Sequence, residues 1–218
     1  MSLAPLIDHT LLRADATPAE VERLCEEAAE HGFAGVCVNG MYIERVAARL
    51  AGTRVIPVAV AGFPLGASCT AAKAFEAGWA VAHGAREIDV VLAVGLLKAG
   101  DRAGVLRDLR EVVAASRPWP VKAILENCLL TRDEKLLACA IAEEAGARFV
   151  KTSTGFGGGG ATAEDVALLR GAVGNRLSVK ASGGIRTAAD ARRMVDAGAD
   201  RIGASASVSI VAQDATSR

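Results

Sequence analysis

The sequence predicts an α/β protein, a single (β/α)8 TIM barrel spanning residues 1–218, on three observations. First, 218 residues are enough for one compact barrel. Second, hydrophobic residues make up 51% of the chain and aromatic residues only 4%, so a large aliphatic core is available. Third, strand-like and helix-like segments alternate along the whole chain. An open, doubly wound sheet is the alternative, but eight repeated units favour closure into a barrel.

The predicted strands are short apolar runs, which are typical of a parallel sheet that is buried on both faces. They lie at 4–8, 35–38, 55–60, 87–92, 120–125, 148–151, 177–181 and 201–203. Seven helices are predicted between them, at 17–31, 41–50, 68–83, 103–115, 133–145, 163–170 and 187–197. The first helix has the clearest start, because Thr17 suits the N-cap, Pro18 the first helical position and Glu20 the third.

Four helix–strand junctions repeat one pattern, "EHGFAGVC", "AHGAREID", "EAGARFVK" and "DAGADRIG". In each, a helix ends at a glycine, which accepts the left-handed backbone needed there. The fifth residue after each glycine is, in chain order, Cys37, Asp89, Lys151 or Gly203. These positions fall on predicted strands 2, 4, 6 and 8, and alternate strands fill one interior layer of such a barrel. We therefore expect Asp89 and Lys151 to point into the barrel near the carboxyl ends of its strands, with Gly203 leaving space beside them. The alternative is that the repeat records only an old duplication.

Charge and composition argue against several classes of protein. Acidic and basic residues balance at 25 each, so no nucleic-acid partner and no membrane partner is expected. The amino-terminal residues lack a basic stretch followed by a long apolar one, so no signal peptide is predicted. No apolar run is long enough for a transmembrane helix. Five scattered cysteines without a C-x-x-C pair indicate reduced thiols in a cytoplasmic protein.

The three histidines do not predict a metal site. His31 and His83 directly precede glycines at predicted helix ends, where an imidazole commonly binds the last carbonyl groups. His9, in "IDHTLL", is the only histidine near the end of a predicted strand. No close cluster of histidine, cysteine and aspartate accompanies it, so a catalytic zinc site is not expected.

Lysine is rare in this chain, yet three lysines lie inside apolar strands. Only six of the 25 basic residues are lysine. Lys122, Lys151 and Lys180 fall on predicted strands 5, 6 and 7, where burying an ammonium group is costly unless it is paired. The other three lysines are expected to be ordinary surface residues: Lys73, Lys98 and Lys135.

One explanation of the interior lysines is salt bridging with Asp89, Glu87 or Glu126. It accounts for the charge but not for the choice of lysine over arginine. Arginine stays protonated, whereas a lysine becomes an amine nucleophile when burial or a nearby cation lowers its pKa. We therefore interpret Lys151 and Lys180 as a coupled pair, one the nucleophile and the other its electrostatic partner. Spacing alone leaves open which is which.

Segments rich in glycine and hydroxyl side chains follow the same strands. "KTSTGFGGGG" follows strand 6, "KASGGIRT" closes strand 7 and "GASASVS" closes strand 8. Loops after strands 7 and 8 of such barrels often form a phosphate site with the N-terminus of a short helix, and glycines let backbone N–H groups approach an oxyanion. The run at 157–160 alone is equally explained as a flexible linker. Two such loops beside lysines favour a site for a phosphorylated carbonyl compound that reacts through a lysine Schiff base.

These residues resemble a known family, the deoxyribose-phosphate aldolases. The segments that carry the resemblance follow the family's order from residue 6 to about residue 205: "LIDHTLL", "GFPLG", "EIDVVLAVG", "KAILENCLLT", "FVKTSTGF", "GGATAEDVALLR" and "VKASGGIRT". The resemblance implies a class I aldolase, a carbon–carbon lyase. Its reaction would be the reversible cleavage of 2-deoxy-D-ribose 5-phosphate to D-glyceraldehyde 3-phosphate and acetaldehyde, in deoxyribonucleotide catabolism. It implies no metal and no organic cofactor.

The resemblance also assigns roles to individual residues. Lys151 matches the Schiff-base lysine, Lys180 the lysine that lowers its pKa, and Asp89 the residue that transfers protons through ordered water. Two more positions match polar residues that line the pocket: Asp8 and Lys122. Four match the phosphate site: Gly155, Gly183, Gly184 and Ser205. The family further implies small-molecule phosphosugar and aldehyde substrates and a homodimer or homotetramer.

The chain departs from the family pattern at four places, none of them at the lysine pair or Asp89. Ala206 stands where a second serine is common, Gly40 where proline is usual, and Ala93 where many members have asparagine. The tail "VAQDATSR" has no tyrosine, whereas some members use a C-terminal tyrosine near the site. We expect these differences to affect phosphate affinity and turnover more than the type of reaction.

Two other functions fit a phosphate-binding barrel. A sugar-phosphate isomerase would use a carboxylate or histidine base and would not need a lysine pair on its strands. A catalytically silent barrel would serve as a binding or assembly module, and it would not need to keep Lys151, Lys180 and Asp89 together. Trapping an imine distinguishes both from a Schiff-base aldolase.

Overall fold

Eight parallel strands close into one barrel in chain order, which confirms the predicted (β/α)8 fold. The computed structural model describes residues 2–216, so Met1 and the last two residues of the tail lie outside the described part. The strands are β1 Ile7–Leu11, β2 Gly35–Val38, β3 Ile56–Ala61, β4 Glu87–Val91, β5 Val121–Ile124, β6 Phe149–Lys151, β7 Ser178–Ser182 and β8 Arg201–Ala204. Because β8 pairs with β1 as well as with β7, the open-sheet alternative is wrong.

Nine α-helices surround the barrel within the described residues. They are α1 Pro18–His31, α2 Ile43–Arg49, α3 Thr70–Ala82, α4 Val94–Lys98, α5 Arg102–Ala115, α6 Arg132–Ala145, α7 Ala163–Val173, α8 Ala188–Asp196 and α9 Ser207–Thr216. Helix α1 starts as predicted, with a capping box between Thr17 and Glu20 and with Pro18 in the first turn. It ends at Gly32, whose φ of +66° is left-handed. No helix among residues 2–216 is both long and apolar enough to cross a bilayer.

The structure differs from the prediction at the first strand and in two further helices. The first strand is predicted at 4–8, but Ala4–Leu6 forms a 3₁₀ turn and the strand begins at Ile7. Pro5 explains the difference, because proline has no N–H to donate to the sheet. Helices α4 and α9 are not predicted, since α4 has only five residues and α9 is rich in small polar residues with little apolar periodicity.

Three layers of four residues fill the interior of the barrel, as is usual for this architecture. The layer at the amino ends of the even-numbered strands contains Gly35, Glu87, Phe149 and Arg201. The middle layer, from the odd-numbered strands, contains Asp8, Val58, Lys122 and Lys180. The layer nearest the carboxyl ends contains Cys37, Asp89, Lys151 and Gly203, the positions that the junction repeat aligns. Charged residues therefore occupy an interior in which branched apolar side chains usually dominate.

The apolar core lies between the sheet and the surrounding helices. Outward-facing strand residues such as Val36, Val90 and Val150 are buried there and belong to one large cluster with the inner faces of the helices. A much smaller apolar cluster lies inside the barrel, where Cys37 and Val58 pack together. The charged residues inside the barrel are therefore separate from the main apolar core and do not weaken it.

Candidate active site

Seven charged side chains share the interior of the barrel, and we call them the interior ion network. They are the carboxylates Asp8, Glu87 and Asp89 and the cations Lys122, Lys151, Lys180 and Arg201. Each contact between members joins a cation to a carboxylate, which is the condition under which buried charges are tolerated. Because the cations outnumber the carboxylates by one, the network is electrically neutral when one lysine has lost its proton.

Asp89 lies at the centre of the network. Its Oδ1 accepts a hydrogen bond from Nζ of Lys122 at 2.8 Å, and its Oδ2 accepts from Nζ of Lys151 and of Lys180, both at 2.8 Å. Burial would raise the pKa of Asp89, but the three lysines outweigh burial and hold this pKa well below its ordinary range. Asp89 is therefore a carboxylate at neutral pH, and the prediction that it meets Lys151 inside the barrel is confirmed.

Lys151 is the member of the network that reaches a cavity. It lines a space of about 380 Å³ at the carboxyl ends of the strands. It is 2% exposed, whereas Lys122 and Lys180 have no exposed surface. Burial lowers the pKa of Lys151, and the cation of Lys180 lowers it further against the opposing effect of Asp89. Since the neutral amine is the nucleophilic form of lysine, these surroundings favour amine chemistry at Lys151.

The surroundings of Lys180 shift its pKa in the opposite direction. Its Nζ donates to Oδ2 of Asp8 at 2.5 Å and to Oδ2 of Asp89 at 2.8 Å. Burial alone would lower the pKa of Lys180, but the two carboxylates outweigh burial and raise this pKa. Lys180 is thus a permanent cation that does not line the cavity. The geometry distinguishes the two lysines that spacing alone leaves interchangeable.

Asp8 and Lys122, matched to pocket-lining positions, lie beneath the cavity instead. Neither has any exposed surface. Asp8 contacts Lys180, while Lys122 donates to Asp89 at 2.8 Å and also contacts Glu87. Salt bridging, the simpler explanation of the interior lysines, is confirmed, because Lys122, Lys151 and Lys180 all contact Asp89. Motif matching could place these two residues near the site but could not give their depth in the barrel.

One wall of the cavity is built largely from backbone. Gly155, Gly183, Gly184 and Ser205, the four predicted phosphate-binding positions, all line it. Among the described residues, the backbone N–H groups of Gly155, Gly183 and Gly184 have no acceptor. Helix α9 begins just beyond, at Ser207, so its N-terminal end adds positive potential. Free N–H donors beside a helix N-terminus suit an oxyanion.

Close backbone packing explains the glycines of this wall. A Cβ on Gly160 would lie 2.3 Å from the carbonyl oxygen of Gly183, so a larger residue does not fit. The N–H of Ala161 donates to the same carbonyl at 3.0 Å. Gly183 and Gly184 have φ values of +89° and +76°, which side chains disfavour. The glycine run after β6 is therefore packed against the loop after β7, which argues against a free linker.

Two arginines outside the predicted site residues, Arg13 and Arg186, also line the cavity. Arg13 follows β1 and forms ion pairs with Asp15 at 2.5 Å and Glu20 at 2.6 Å. Arg186 follows β7, and its guanidinium has no ion-pair partner among the described residues. Arg13 directly follows the motif "IDHTLL", and Arg186 lies near the end of "KASGGIRT". Their positions beside these motifs could have predicted that they line the site. Arg186 therefore places a positive charge beside the backbone donors, which suits an anionic group.

Glu126 does not pair with the interior lysines. Its carboxylate accepts hydrogen bonds from the backbone N–H of Thr154, at 3.3 Å, and from the hydroxyl of Thr154. The same hydroxyl oxygen accepts from the N–H of Phe156 at 3.0 Å. Glu126 itself has a φ of +56°, which is uncommon for a residue other than glycine. It therefore shapes the loop that follows Lys151 and carries Gly155 to the cavity.

The prediction that Lys73 is a surface residue is wrong. Lys73 has no exposed surface, and its Nζ donates to Oδ2 of Asp108 at 2.8 Å and to the carbonyl oxygen of Val91 at 3.0 Å. The pattern of α3 cannot show that α5 brings a carboxylate over it. Of the other two lysines expected at the surface, Lys98 is exposed and Lys135 is half-buried.

The histidines have structural partners. Nδ1 of His83 bonds the carbonyl oxygen of Trp79 at 2.6 Å at the end of α3, as predicted. His31 makes no such bond among the described residues. Nε2 of His9 lies 2.7 Å from a carboxylate oxygen of Glu27. Within residues 2–216, no three His, Cys, Asp or Glu side chains form a group that could hold a metal ion.

Comparison with known proteins agrees with the fold and the motifs. The chain matches the DeoC/LacD family aldolase model over residues 3–210. It is 56% identical over 216 residues to a deoxyribose-phosphate aldolase of Bacillus cereus (strain AH187), covering 99% of this chain and 97% of that protein. To one from Thermoanaerobacter sp. (strain X514) it is 54% identical over 214 residues, 97% and 96% of the two chains. The solved "unique tetrameric structure" of the deoxyribose phosphate aldolase from Aeropyrum pernix has a TM-score of 0.93 and 34% identity, covering 99% of this chain and 92% of that one.

The barrel, its interior lysines and these similarities define the class of protein, an aldolase, which is a carbon–carbon lyase. Within that class, the chain belongs to the DeoC/LacD aldolase family. The resemblance to deoxyribose-phosphate aldolases that the motifs indicate is confirmed over nearly the whole chain.

Proposed function

We propose that this aldolase reversibly cleaves 2-deoxy-D-ribose 5-phosphate to D-glyceraldehyde 3-phosphate and acetaldehyde through a Schiff base on Lys151. One observation carries the proposal. Within the described residues, Lys151 is the only member of the interior ion network that lines the cavity, and its amine shares the carboxylate of Asp89 with the cation of Lys180. The names of the relatives from Bacillus cereus and Thermoanaerobacter support the choice of substrate.

The reaction begins with the neutral amine of Lys151. It attacks the aldehyde carbon C1 of the open-chain sugar, and a proton moves from nitrogen to oxygen to give a carbinolamine. Loss of water gives an iminium ion, which accepts electrons more readily than the aldehyde does. The hydroxyl on C3 loses its proton, the C2–C3 bond breaks, and D-glyceraldehyde 3-phosphate leaves. The bonding electrons form an enamine, which is protonated at C2 and hydrolysed to acetaldehyde and free Lys151.

Asp89 supplies the proton transfers at the carbinolamine and enamine steps, acting through water. Its ionised carboxylate contacts the nitrogen of Lys151 at 2.8 Å, so it is placed to take up the proton that this nitrogen releases. Acid–base groups positioned in this way contribute about 10²–10⁴-fold in rate. Lys180 remains charged throughout and keeps the amine of Lys151 neutral. Asp8 and Lys122 act from below the cavity by holding Lys180 and Asp89 in place.

The phosphate group of the substrate binds at the backbone wall of the cavity. The N–H groups of Gly155, Gly183 and Gly184, which have no acceptor within residues 2–216, support this assignment, as does the position of Ser205 at the same wall. Backbone donors alone also suit a neutral hydroxyl group. The nearby charge of Arg186 therefore provides the preference for a phosphorylated sugar.

Four further inferences accompany this function. The enzyme needs neither a metal nor an organic cofactor, because the iminium ion is the electron sink. It works in the cytoplasm, in deoxyribonucleotide catabolism. It assembles as a homodimer or homotetramer, which the tetrameric relative from Aeropyrum pernix supports. Its partners are small phosphosugars and aldehydes.

The test is to measure both products from 2-deoxy-D-ribose 5-phosphate with wild-type protein, Lys151→Arg and Lys98→Arg. Lys151→Arg keeps the charge beside Asp89 but removes the amine nucleophile, so cleavage should fall to background. Lys98 is exposed and pairs with Glu134 at 2.8 Å, so Lys98→Arg should behave as wild type. Consumption of the sugar phosphate without release of acetaldehyde would overturn the proposal and favour a sugar-phosphate isomerase. Absence of any turnover by folded wild-type protein would favour a silent barrel.

A further inference from the structure

Arg201 lies at the opposite end of the barrel from the cavity, yet it belongs to the same ion network. It is the first residue of β8. Its Nη1 donates to Oδ1 of Asp8 at 2.7 Å and to Oε2 of Glu87 at 3.3 Å. Its guanidinium lies over the ring of Phe149, 5.6 Å from the centroid. These contacts fix a group that is always charged against the underside of the network.

A chain of four contacts joins Arg201 to Lys151. Oδ1 of Asp8 binds Arg201, and Oδ2 of Asp8 binds Nζ of Lys180 at 2.5 Å. Lys180 also donates to Oδ2 of Asp89 at 2.8 Å, and the same oxygen accepts from Lys151 at 2.8 Å. Because Asp8 has one oxygen on each cation, it cannot turn toward either without losing the other.

We propose that Arg201 is a positioning residue of the aldolase reaction: it holds Asp8 from the amino end of the barrel, so that Asp8 holds Lys180 beside Lys151. The inference rests on the proposed function of Lys151. With Arg201 present, the network is neutral when Lys151 carries no extra proton. Without Arg201, three carboxylates face three lysines, and neutrality requires that Lys151 keep its proton. The nucleophilic form of Lys151 therefore becomes scarcer at neutral pH.

The ionisable groups that face Lys151 and Arg201 come from several strands of the barrel. Three groups face Lys151, from β4, β7 and β2: Asp89, Lys180 and Cys37. Asp8 on β1 and Glu87 on β4 contact Arg201. Three further charged groups, from β4, β5 and β7, act on these carboxylates: Asp89, Lys122 and Lys180. Burial raises the pKa of Cys37 to about 11, so this thiol stays neutral in the working range of the enzyme. Because Cys37 is already protonated, it cannot take up a proton in place of Lys151 when Arg201 is lost.

A second cavity allows the inference to be tested by chemical rescue. It has a volume of about 560 Å³, lies at the amino ends of the strands, and is lined by Arg201 and Arg54 among others. Only Nη1 of the Arg201 guanidinium has an acceptor among the described residues, and the side chain is 14% exposed. A small guanidinium-type cation can therefore reach the space that a shortened side chain would leave. Arg54 lines the same cavity and contacts no member of the network within residues 2–216.

The experiment compares Arg201→Ala with Arg54→Ala, which removes the same functional group from the same cavity. kcat/KM for cleavage of 2-deoxy-D-ribose 5-phosphate is measured against pH, with and without low concentrations of guanidinium chloride, and with urea as a control for denaturation. Arg201→Ala should lose about tenfold at neutral pH, which is the effect of a one-unit rise in the pKa of Lys151. The loss should shrink as the pH rises, and guanidinium should restore part of the activity. Arg54→Ala should match wild type.

A loss of the same size at every pH would show a merely structural role and overturn the inference, and so would no loss at all. If Arg201→Ala does not fold, Arg201→Lys and Arg201→Gln replace it, and only the lysine variant should keep most of the wild-type pH profile. Borohydride trapping of acetaldehyde on wild-type protein is measured alongside. Without trapping, the proposed function fails. With trapping and an unchanged profile in the Arg201 variants, only this inference fails.

Discussion

Lys151 and Lys180 carry the same functional group, and only their surroundings make them different. Lys180 binds two carboxylates and is held as a cation. Among the described residues, Lys151 binds only Asp89, shares it with two other lysines, and opens onto the cavity. An arginine at position 151 would keep the ion pair but could not lose its proton. The proposed chemistry therefore explains why a chain so rich in arginine has lysine on β6.

Replacing Lys180 with methionine should move the pH dependence of the reaction. Lys151 reacts as the neutral amine, so activity rises with pH through its pKa, which in the wild type is lowered from the ordinary lysine value of about 10.4. In Lys180→Met the cation that lowers this pKa is absent, so the pKa should rise. kcat/KM at neutral pH should then fall about tenfold for each unit of the rise, and recover at alkaline pH.

The matched control for this change is Lys98→Met, which removes an exposed lysine from α4 and should leave the pH profile unchanged. Thermal unfolding of both variants separates a shift in pKa from a loss of folded protein. A folded Lys180→Met protein with the wild-type pH profile would contradict the role assigned to Lys180.

Among the strands and helices, the sequence predicts the positions that repeat along the chain. It does not predict contacts between side chains on different helices. The junction repeat correctly aligns Asp89 and Lys151, because residues at one spacing from a helix end reach one layer. Two residues before the aligned positions on β4 and β8, Glu87 and Arg201 lie in the layer at the amino ends of the strands. By contrast, nothing local to α3 predicts that Lys73 meets a carboxylate on α5.

Lys73→Met should therefore destabilise the fold strongly. It leaves Asp108 without its lysine partner in a buried position and frees the carbonyl oxygen of Val91 at the end of β4. Removing one member of a buried ion pair costs about 3–5 kcal/mol. Lys98→Met breaks an exposed pair with Glu134 and should cost about 0–1 kcal/mol. Urea unfolding of the two variants measures the difference, and equal losses would contradict the account of α3 and α5.

For the molecule as a whole, the order of elements predicts a closed barrel with a phosphate-binding wall at the carboxyl ends of its strands. The sequence could not predict the depth of each charged side chain. Asp8 and Lys122 belong to the right motifs but lie below the cavity, since barrel closure and strand stagger fix height. Barrel closure likewise brings Arg186 to the cavity. Its motif, "KASGGIRT", indicates a phosphate site through its glycines and not through this arginine.

The exposed surface bears on assembly. Met41, Leu65 and Phe75 are 76%, 78% and 72% exposed, so large apolar side chains remain uncovered in the single chain. We expect a homodimer or homotetramer in solution. Light scattering coupled to size-exclusion chromatography measures the mass directly, across a range of protein concentrations. The mass of a single chain at every concentration would contradict the expectation.

Imine trapping shows whether Lys151 forms the Schiff base. The protein is incubated with acetaldehyde and chelator, reduced with borohydride, and examined by intact mass and peptide mapping. We expect one added ethyl group, located on Lys151 and absent from Lys151→Arg. An adduct on Lys180 instead would reverse the roles of the two lysines. No adduct on folded wild-type protein would contradict Schiff-base catalysis altogether.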